Sequence, residues 1–337
     1  MIRLKNILTL LVICLGTMAY GQSWTGQAYQ FYKANDFESA QVAIDSAITT
    51  IERHDPQTWQ LRGIIYRSIT AGDSLCNRQI ALESFVYARE IDKEGVYTDK
   101  INQYISNTLI RYYNNAVQLL MEDKNFDRSI EFYKLYKEKY TSLLDPAHDF
   151  DQRDIEYYTA LGAEYQNKSE IVPQADKNDL RIKSINACQK VLAIDSMDFQ
   201  ANFNSGIAYY NMGVDYIVAP DPEISIEELV LNTKRAEEAF LKAIPYLKRC
   251  ELIQPDHMDT KVALMGCYYG LNNDEKYLKY QTDLDKINLP KYLKRYETHP
   301  TDEDNIKEIV RIYTYTMPNE NEAEKYRNIL YDLRMKE

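Results

Sequence analysis

A glycine followed three residues later by a tyrosine recurs along this chain, at Gly63/Tyr66, Gly162/Tyr165, Gly206/Tyr209 and Gly266/Tyr269. Behind the first pair comes a second stretch with small and aromatic residues at fixed offsets, Ala81, Phe85 and Ala88. Apolar residues between these marks recur at i, i+3, i+4 and i+7, the signature of an amphipathic helix. Only 11 glycines and 10 prolines occur in 337 residues, too few for a turn-rich β protein. Connections are short and carry helix punctuation, as in Asn35-Asp36, Asp55-Pro56 and Pro255-Asp256. The spacing predicts an all-α chain built from helix pairs.

Six pairs can be placed. The first carries Trp24, Ala28 and Phe31, then Phe37, Ala40, Ile44 and Ala47; the second Trp59, Gly63 and Tyr66, then Ala81, Phe85 and Ala88. The third is degenerate, with Tyr113, Val117 and Leu120 before Phe126, Ser129, Tyr133 and Tyr136. The fourth has Tyr158, Leu161, Gly162 and Tyr165, then Ser184, Cys188 and Val191. Gly206, Tyr209, Ala243, Leu247, Cys250 and Pro255 mark the fifth, and Met265, Gly266, Tyr269, Tyr277 and Leu278 the sixth. This series resembles the tetratricopeptide repeat, W-x₂-L-G-x₂-Y, then A-x₃-F, then P. The resemblance implies a right-handed α-solenoid of six to seven helix pairs. Residues 200–287 are similar to exported tetratricopeptide proteins of Bacteroidetes, which implies a periplasmic location.

The period departs from the 34 residues of the standard repeat. Ala28 to Gly63 is 35 residues, but the later intervals are 54 to Val117, 45 to Gly162, 44 to Gly206 and 60 to Gly266. The surplus is expected as insertions at 70–78, 167–179 and 214–242. The last holds an apolar loop, Tyr216-Ile217-Val218-Ala219-Pro220, and a capping box, Ser225 to Glu228, opening a helix that runs through Ala236 and Phe240 toward a kink at Pro245. The pattern loosens after Pro290. The expected organisation is a signal peptide at 1–21, the solenoid at 22–290, and a cap at 291–337 made of helices near 302–316 and 320–336.

Arg3 and Lys5 precede an apolar run from Ile7 to Leu15, and Ala19-Tyr20-Gly21 supplies small residues at a cleavage site. The expected product is an exported, periplasmic chain with no transmembrane segment; the competing reading makes Cys14 a lipidated anchor. Removing residues 1–21, which hold two bases and no acid, leaves 38 bases against 51 acids, a net charge of −13. Such a chain repels phosphate backbones, so nucleic acid is not an expected partner. Cys76, Cys188, Cys250 and Cys267 fit no zinc spacing. Cys250 and Cys267 lie on consecutive helices, where a disulfide and two separate thiols are both open readings.

The chain carries no H-E-x-x-H, G-x-S-x-G, P-loop or dinucleotide glycine fingerprint. His54, His148, His257 and His299 each sit in a predicted connection, at no metal-ligand spacing. No catalytic, cofactor or metal site is expected, and the chain is read as a non-enzymatic scaffold or adaptor. Tyrosine stands out at 29 residues, with doublets at Tyr112-Tyr113, Tyr157-Tyr158, Tyr209-Tyr210 and Tyr268-Tyr269. One member of each doublet is expected in the core and the other on the concave face. The repeat template places Tyr29, Tyr32, Lys33, Arg67, Asn114, Gln118, Gln166, Asn167, Phe203, Tyr210 and Asn211 on that face. Amides and tyrosines suit an extended peptide, which makes a protein or peptide partner, such as an envelope component, the expected ligand. The family's carboxylate clamp of Lys and Asn is not supported, since Lys33 is the only lysine in the set. A second surface is the insertion at Tyr216, Ile217 and Val218, which an outer-membrane assembly would hold. A third reading puts a carbohydrate or an enzyme substrate in the aromatic groove.

Overall fold

A computed structural model describes residues 23–69, 74–218 and 224–335; residues 1–21, with Cys14 and the expected signal peptide, lie outside them. The chain divides into two compact units, the first ending at Phe150 and the second starting at Asp151. Unit 1 holds α1 (Trp24–Lys33), α2 (Phe37–Ala47), a 3₁₀ turn (Ile51–His54), α3 (Pro56–Ser68), α4 (Ser74–Ile91), α5 (Thr98–Met121) and α6 (Phe126–Leu143). Unit 2 holds α7 (Asp151–Ile171), α8 (Gln174–Ile194), α9 (Phe199–Val218), α10 (Ile226–Ile253), α11 (Met258–Gly270), α12 (Asp274–Thr298), α13 (Glu303–Arg311), a π turn (Ile312–Thr316) and α14 (Glu320–Arg334). Each odd-numbered helix packs on the even-numbered helix after it. The fold is an all-α solenoid of tetratricopeptide-like pairs.

Three of the turns inside a pair are built alike. Asn35, Lys124 and Asn272 adopt left-handed backbone, with φ of 60°, 53° and 52°. The residue after each, Asp36, Asn125 or Asn273, caps the second helix by accepting a backbone N–H from three residues on. A helix stop and a helix start thus fit into three or four residues, which folds the pair back on itself.

The pairs close through small residues. A Cβ on Gly63 would lie 2.4 Å from the Phe85 ring, and one on Gly162 would lie 2.8 Å from Cys188 Sγ. Gly206 meets Leu247 and Gly213 meets Phe240, two contacts seven residues apart on both helices and in opposite order. Ser184 Oγ donates to the carbonyl of Gly162, and Ser129 Oγ donates to that of Ala116, each at 2.7 Å. This equivalence corrects the third repeat: the small position is Ala116, wholly buried, and not Val117.

Other expectations change. The surplus length goes into helices rather than loops: α5 has 24 residues, α8 has 21 and α10 has 28, against 10 in α1 and 13 in α3. Only residues 172–173 separate α7 from α8. Tyr216, Ile217 and Val218 are the last turn of α9, not a loop; Ala219 and Pro220 lie outside the described residues. Ser225 accepts from Glu228 N–H and opens α10, which continues past Pro245 to Ile253. Pro290 lies inside α12, so the boundary expected there falls within a helix. Trp24 and Phe31, which mark the first pair, are exposed. Cys250 and Cys267 are separate buried thiols, and burial pushes each up to about 12.

Gly63→Ala should lose about 1–3 kcal/mol to overpacking against Phe85, offset in part by roughly 1 kcal/mol of helix propensity. Urea unfolding should show that loss shrinking when Phe85→Leu is added, since the smaller side chain vacates the Cβ position; independent, additive effects would disprove the contact.

Candidate functional site

A groove of about 680 Å³ in unit 1 is lined by α1, α3 and the start of α5. Its walls are Thr25, Gly26 and Tyr29 from α1, Gln57, Gln60, Leu61 and Ile64 from α3, and Tyr97 and Lys100 at the head of α5. All three are first helices of their pairs, so the repeat itself brings these side chains to one face.

Local bonds fix the mouth of the groove. Glu52, on the 3₁₀ turn, accepts from the backbone N–H of Trp24 at 3.0 Å and of Thr25 at 2.9 Å. Thr25 and Thr58 hydroxyls meet at 2.9 Å, tying α1 to α3. Burial works to raise the Glu52 carboxyl, but the bonds from Thr25 and Trp24 outweigh it and hold the group below its usual range. Asp55 caps α3, accepting from Gln57 N–H at 2.9 Å, while the Gln57 amide donates to the Tyr97 hydroxyl across the groove. Both carboxylates accept from backbone N–H groups, and the tyrosines, the amides and Lys100 line the groove beside them. Among the described residues no three His, Cys, Asp or Glu side chains converge as a metal site would require.

The residues expected on the concave face divide between the two units. In unit 1, Tyr29 lines the groove and is exposed. Tyr32 is half-buried and lies near Arg67, whose guanidinium stands 5.1 Å from the Tyr104 ring centre. Burial and then the neighbouring Arg111 charge push Arg67 below the usual guanidinium range. Lys33, Asn114 and Gln118 are exposed, and Gln118 reaches Glu122 at 3.3 Å.

In unit 2 several of the expected residues bond to a polar cluster around Arg181. Arg181, wholly buried, pairs with Asp215 at 2.5 Å and lies 3.8 Å from Glu170. Glu170 also accepts from Gln166 at 3.4 Å and Asn211 at 3.3 Å, and Asn178 donates to the Tyr216 hydroxyl at 3.3 Å. These side chains form a polar network joining α7, α8 and α9, with Arg181 buried and Glu170 open to water. Asn167 and Ile217 are exposed.

Tyr210 packs on Gly266 and lies 6.0 Å from the Phe240 ring; burial, and then Cys267, raise its phenol. Phe203 stacks on Phe199 and meets His257 edge-on at 5.1 Å. Both are partly buried and pack against the core of unit 2. The doublets behave likewise: Tyr112, Tyr113, Tyr157 and Tyr158 are all buried, and only Tyr268 and Tyr269 divide, at 5% and 70% exposure.

Sequence reasoning missed Gln57, Gln60, Tyr97 and Lys100. Tyr97 and Lys100 stand about four turns before the marks that place the third repeat, at the head of a helix far longer than α1 or α3. Arg181 was also missed, although its neighbours Leu180, Ser184, Ile185 and Cys188 form a buried stripe.

No family model and no curated protein matches this chain. Among solved structures, it is similar to a monomeric IFIT1 mutant with Gppp-AAAA, at 12% identity and a TM-score of 0.32, covering 88% of this chain and 67% of that one. A further monomeric IFIT1 mutant, with m7Gppp-AAAA and the cap in the anti conformation, gives 12% and 0.33, covering 92% and 80%. The human IFIT1 dimer with m7Gppp-AAAA gives 13% and 0.28, covering 92% and 71%. Superpositions this loose carry nothing about a ligand, and the reading of the site rests on its own geometry.

Two measurements check these arrangements. Asp215→Ala strands a wholly buried guanidinium and should cost on the order of 3 kcal/mol in urea unfolding, whereas Arg181→Met should cost less, since Asp215 and Glu170 keep access to water. Equal costs would disprove that asymmetry. Because the Glu52 carboxyl titrates below its ordinary value, its hold on α1 is complete at neutral pH and is lost as the pH falls below about 4. Hydrogen exchange at the Trp24 and Thr25 amides, corrected for intrinsic rates, should show protection falling over that window, and Glu52→Gln should show weakened protection on both sides of it.

Proposed function

We propose that this chain is a non-catalytic scaffold that holds an extended segment of a partner protein in the α1–α3–α5 groove. What supports the reading is the lining itself: Tyr29 and Tyr97 offer broad contact at low entropy cost, and Gln57 and Gln60 can pair with a peptide backbone. Lys100 adds one cation for an acidic side chain of the partner. The groove volume lies within the roughly 300–1,000 Å³ range of ligand-binding hollows.

The scaffold works after export, in the periplasm, with an envelope protein as its partner; the support is the charge and apolar pattern of residues 1–21. N-terminal sequencing of the protein from a fractionated native envelope should begin near Gln22. The capped RNA named in the IFIT1 structures belongs to those proteins. Here Glu52 and Asp55 border the groove of a chain already at −11, which disfavours a phosphate backbone.

A peptide library screened against the mature chain should yield binders by fluorescence anisotropy. Tyr29→Ala and Gln60→Ala should each weaken them about tenfold, in line with the loss of roughly 1–2 kcal/mol from an aromatic or amide contact. Binding unchanged by either substitution, or binding of RNA oligonucleotides in preference to peptide, would overturn the reading.

A further inference from the structure

The beginning of α10 stands away from the core of unit 2. Gly213 packs on Phe240, which sets the register of α9 against α10, and α9 ends at Val218. The first turns of α10 therefore extend past the end of its neighbour. The first buried residue of α10 is Ala236. Before it, Ile226, Leu229, Val230 and Leu231 are 77%, 46%, 50% and 41% exposed.

These residues are not scattered. Ile226, Leu229, Val230 and Thr233 follow the i, i+3, i+4, i+7 spacing and share one face. Ser225 caps the segment, so its helical form is specified by local bonds. Ile217, 43% exposed, lies on the last turn of α9, where the ring of Tyr216 stands 5.8 Å from the Arg235 guanidinium. An apolar helix face left in water costs free energy unless something covers it.

The charges on the segment indicate what covers it. Acids stand at its start, Glu227 and Glu228, and bases at its end, Lys234 and Arg235. Arg235 is bonded within the chain to Glu228 at 3.2 Å. Glu227 and Lys234 are exposed, make no ion pair among the described residues, and flank the apolar face on one side, seven residues apart. A two-fold axis passing between Val230 and Leu231 places Glu227 of each copy against Lys234 of the other. Antiparallel helices pair their flanking charges in this way.

We propose that residues 226–235 form a self-association surface, on which the same segment of a second copy docks antiparallel, with Ile226, Val230 and Thr233 along the seam and two Glu227–Lys234 pairs beside it. The segment spans only about 15 Å. The interface is correspondingly small, and the dimer is weak and concentration-dependent. The surface lies in unit 2 and is independent of the groove in unit 1.

Sedimentation equilibrium of the mature chain from about 1 to about 500 µM should show a monomer–dimer equilibrium, the upper bound being set by the weakness of a small interface. Leu229→Glu with Val230→Glu should leave monomer throughout, with helical content and Tm unchanged because both positions are exposed. Glu227→Lys and Lys234→Glu should each raise Kd about tenfold, since two attractive pairs become repulsive. The double variant should recover the parent Kd, and an equimolar mixture of the two single variants should form the mixed dimer in preference to either alone. A monomeric parent at the highest concentration, a dimer that survives the double Glu substitution, or a double charge swap that fails to restore association would each overturn the proposal.

Discussion

The close approach of two helices at a residue without a large side chain is the constraint on which the rest of this structure depends. Phe85 lies where a Cβ of Gly63 would be, Leu247 where one of Gly206 would be, and Phe240 fits between Gly213 and Gly270. Each contact fixes both the distance and the register of a pair, because interiors are packed too densely for the helices to slide. The serine bonds to the carbonyls of Ala116 and Gly162 exploit the same closeness: a hydroxyl on one helix reaches a backbone oxygen on the other only when the axes are near. Register set in this way then decides which side chains of each first helix face outward. The groove follows from the packing and is not built separately.

Lengthening the pairs leaves this closure intact. An added loop must hydrogen-bond its own backbone to water or to side chains, whereas an added helical turn satisfies its backbone internally. The longer pairs take the second route. The added turns then carry side chains beyond the reach of the common core, and two outcomes are visible in unit 2. At the ends of α7 and α9 and the start of α8, the extra turns meet each other and form a polar network around the buried Arg181. At the start of α10 they meet nothing described, and the apolar side chains remain exposed.

Residues whose role is set by a neighbour one turn away are legible in the sequence. Spacing alone assigns Ala81, Phe85 and Ala88 to the core, and all three are wholly buried. The capping box assigns Ser225 as a cap, and it is one. The failures are equally specific. The degenerate third repeat offers no glycine, so spacing selects Val117 over Ala116; the deciding contact, Ser129 to the Ala116 carbonyl, is a tertiary bond that periodicity does not encode. Giving Tyr209 the core position puts Tyr210 on a groove wall, yet Gly266 opens a space that admits the second ring as well. The same holds for Tyr112 and Tyr157, where helices on two sides bury both members of the doublet. For the groove, one wall is readable at Tyr29, but Tyr97 and Lys100 stand at the head of a helix whose start the spacing rules do not locate. A template transfers faithfully only where the element keeps its template length.

A groove of this kind, open and lined by few charges, holds one segment of a partner with modest strength. Self-association through unit 2 would change that without any new contact to the partner. Each dimer would carry two copies of unit 1, and a partner displaying the recognised segment more than once would bind the second copy from within the same particle. The second event is then governed by an effective concentration that reaches the millimolar range for a short tether, and overall affinity rises by about 10²–10⁴. The weak pairing expected of a short helix face suits such an arrangement. Free chains stay monomeric when dilute, and the partner, by holding two chains together, supplies the concentration at which the apolar face of α10 is covered. Binding of the partner and burial of that face thereby become linked equilibria, each strengthening the other by the same factor.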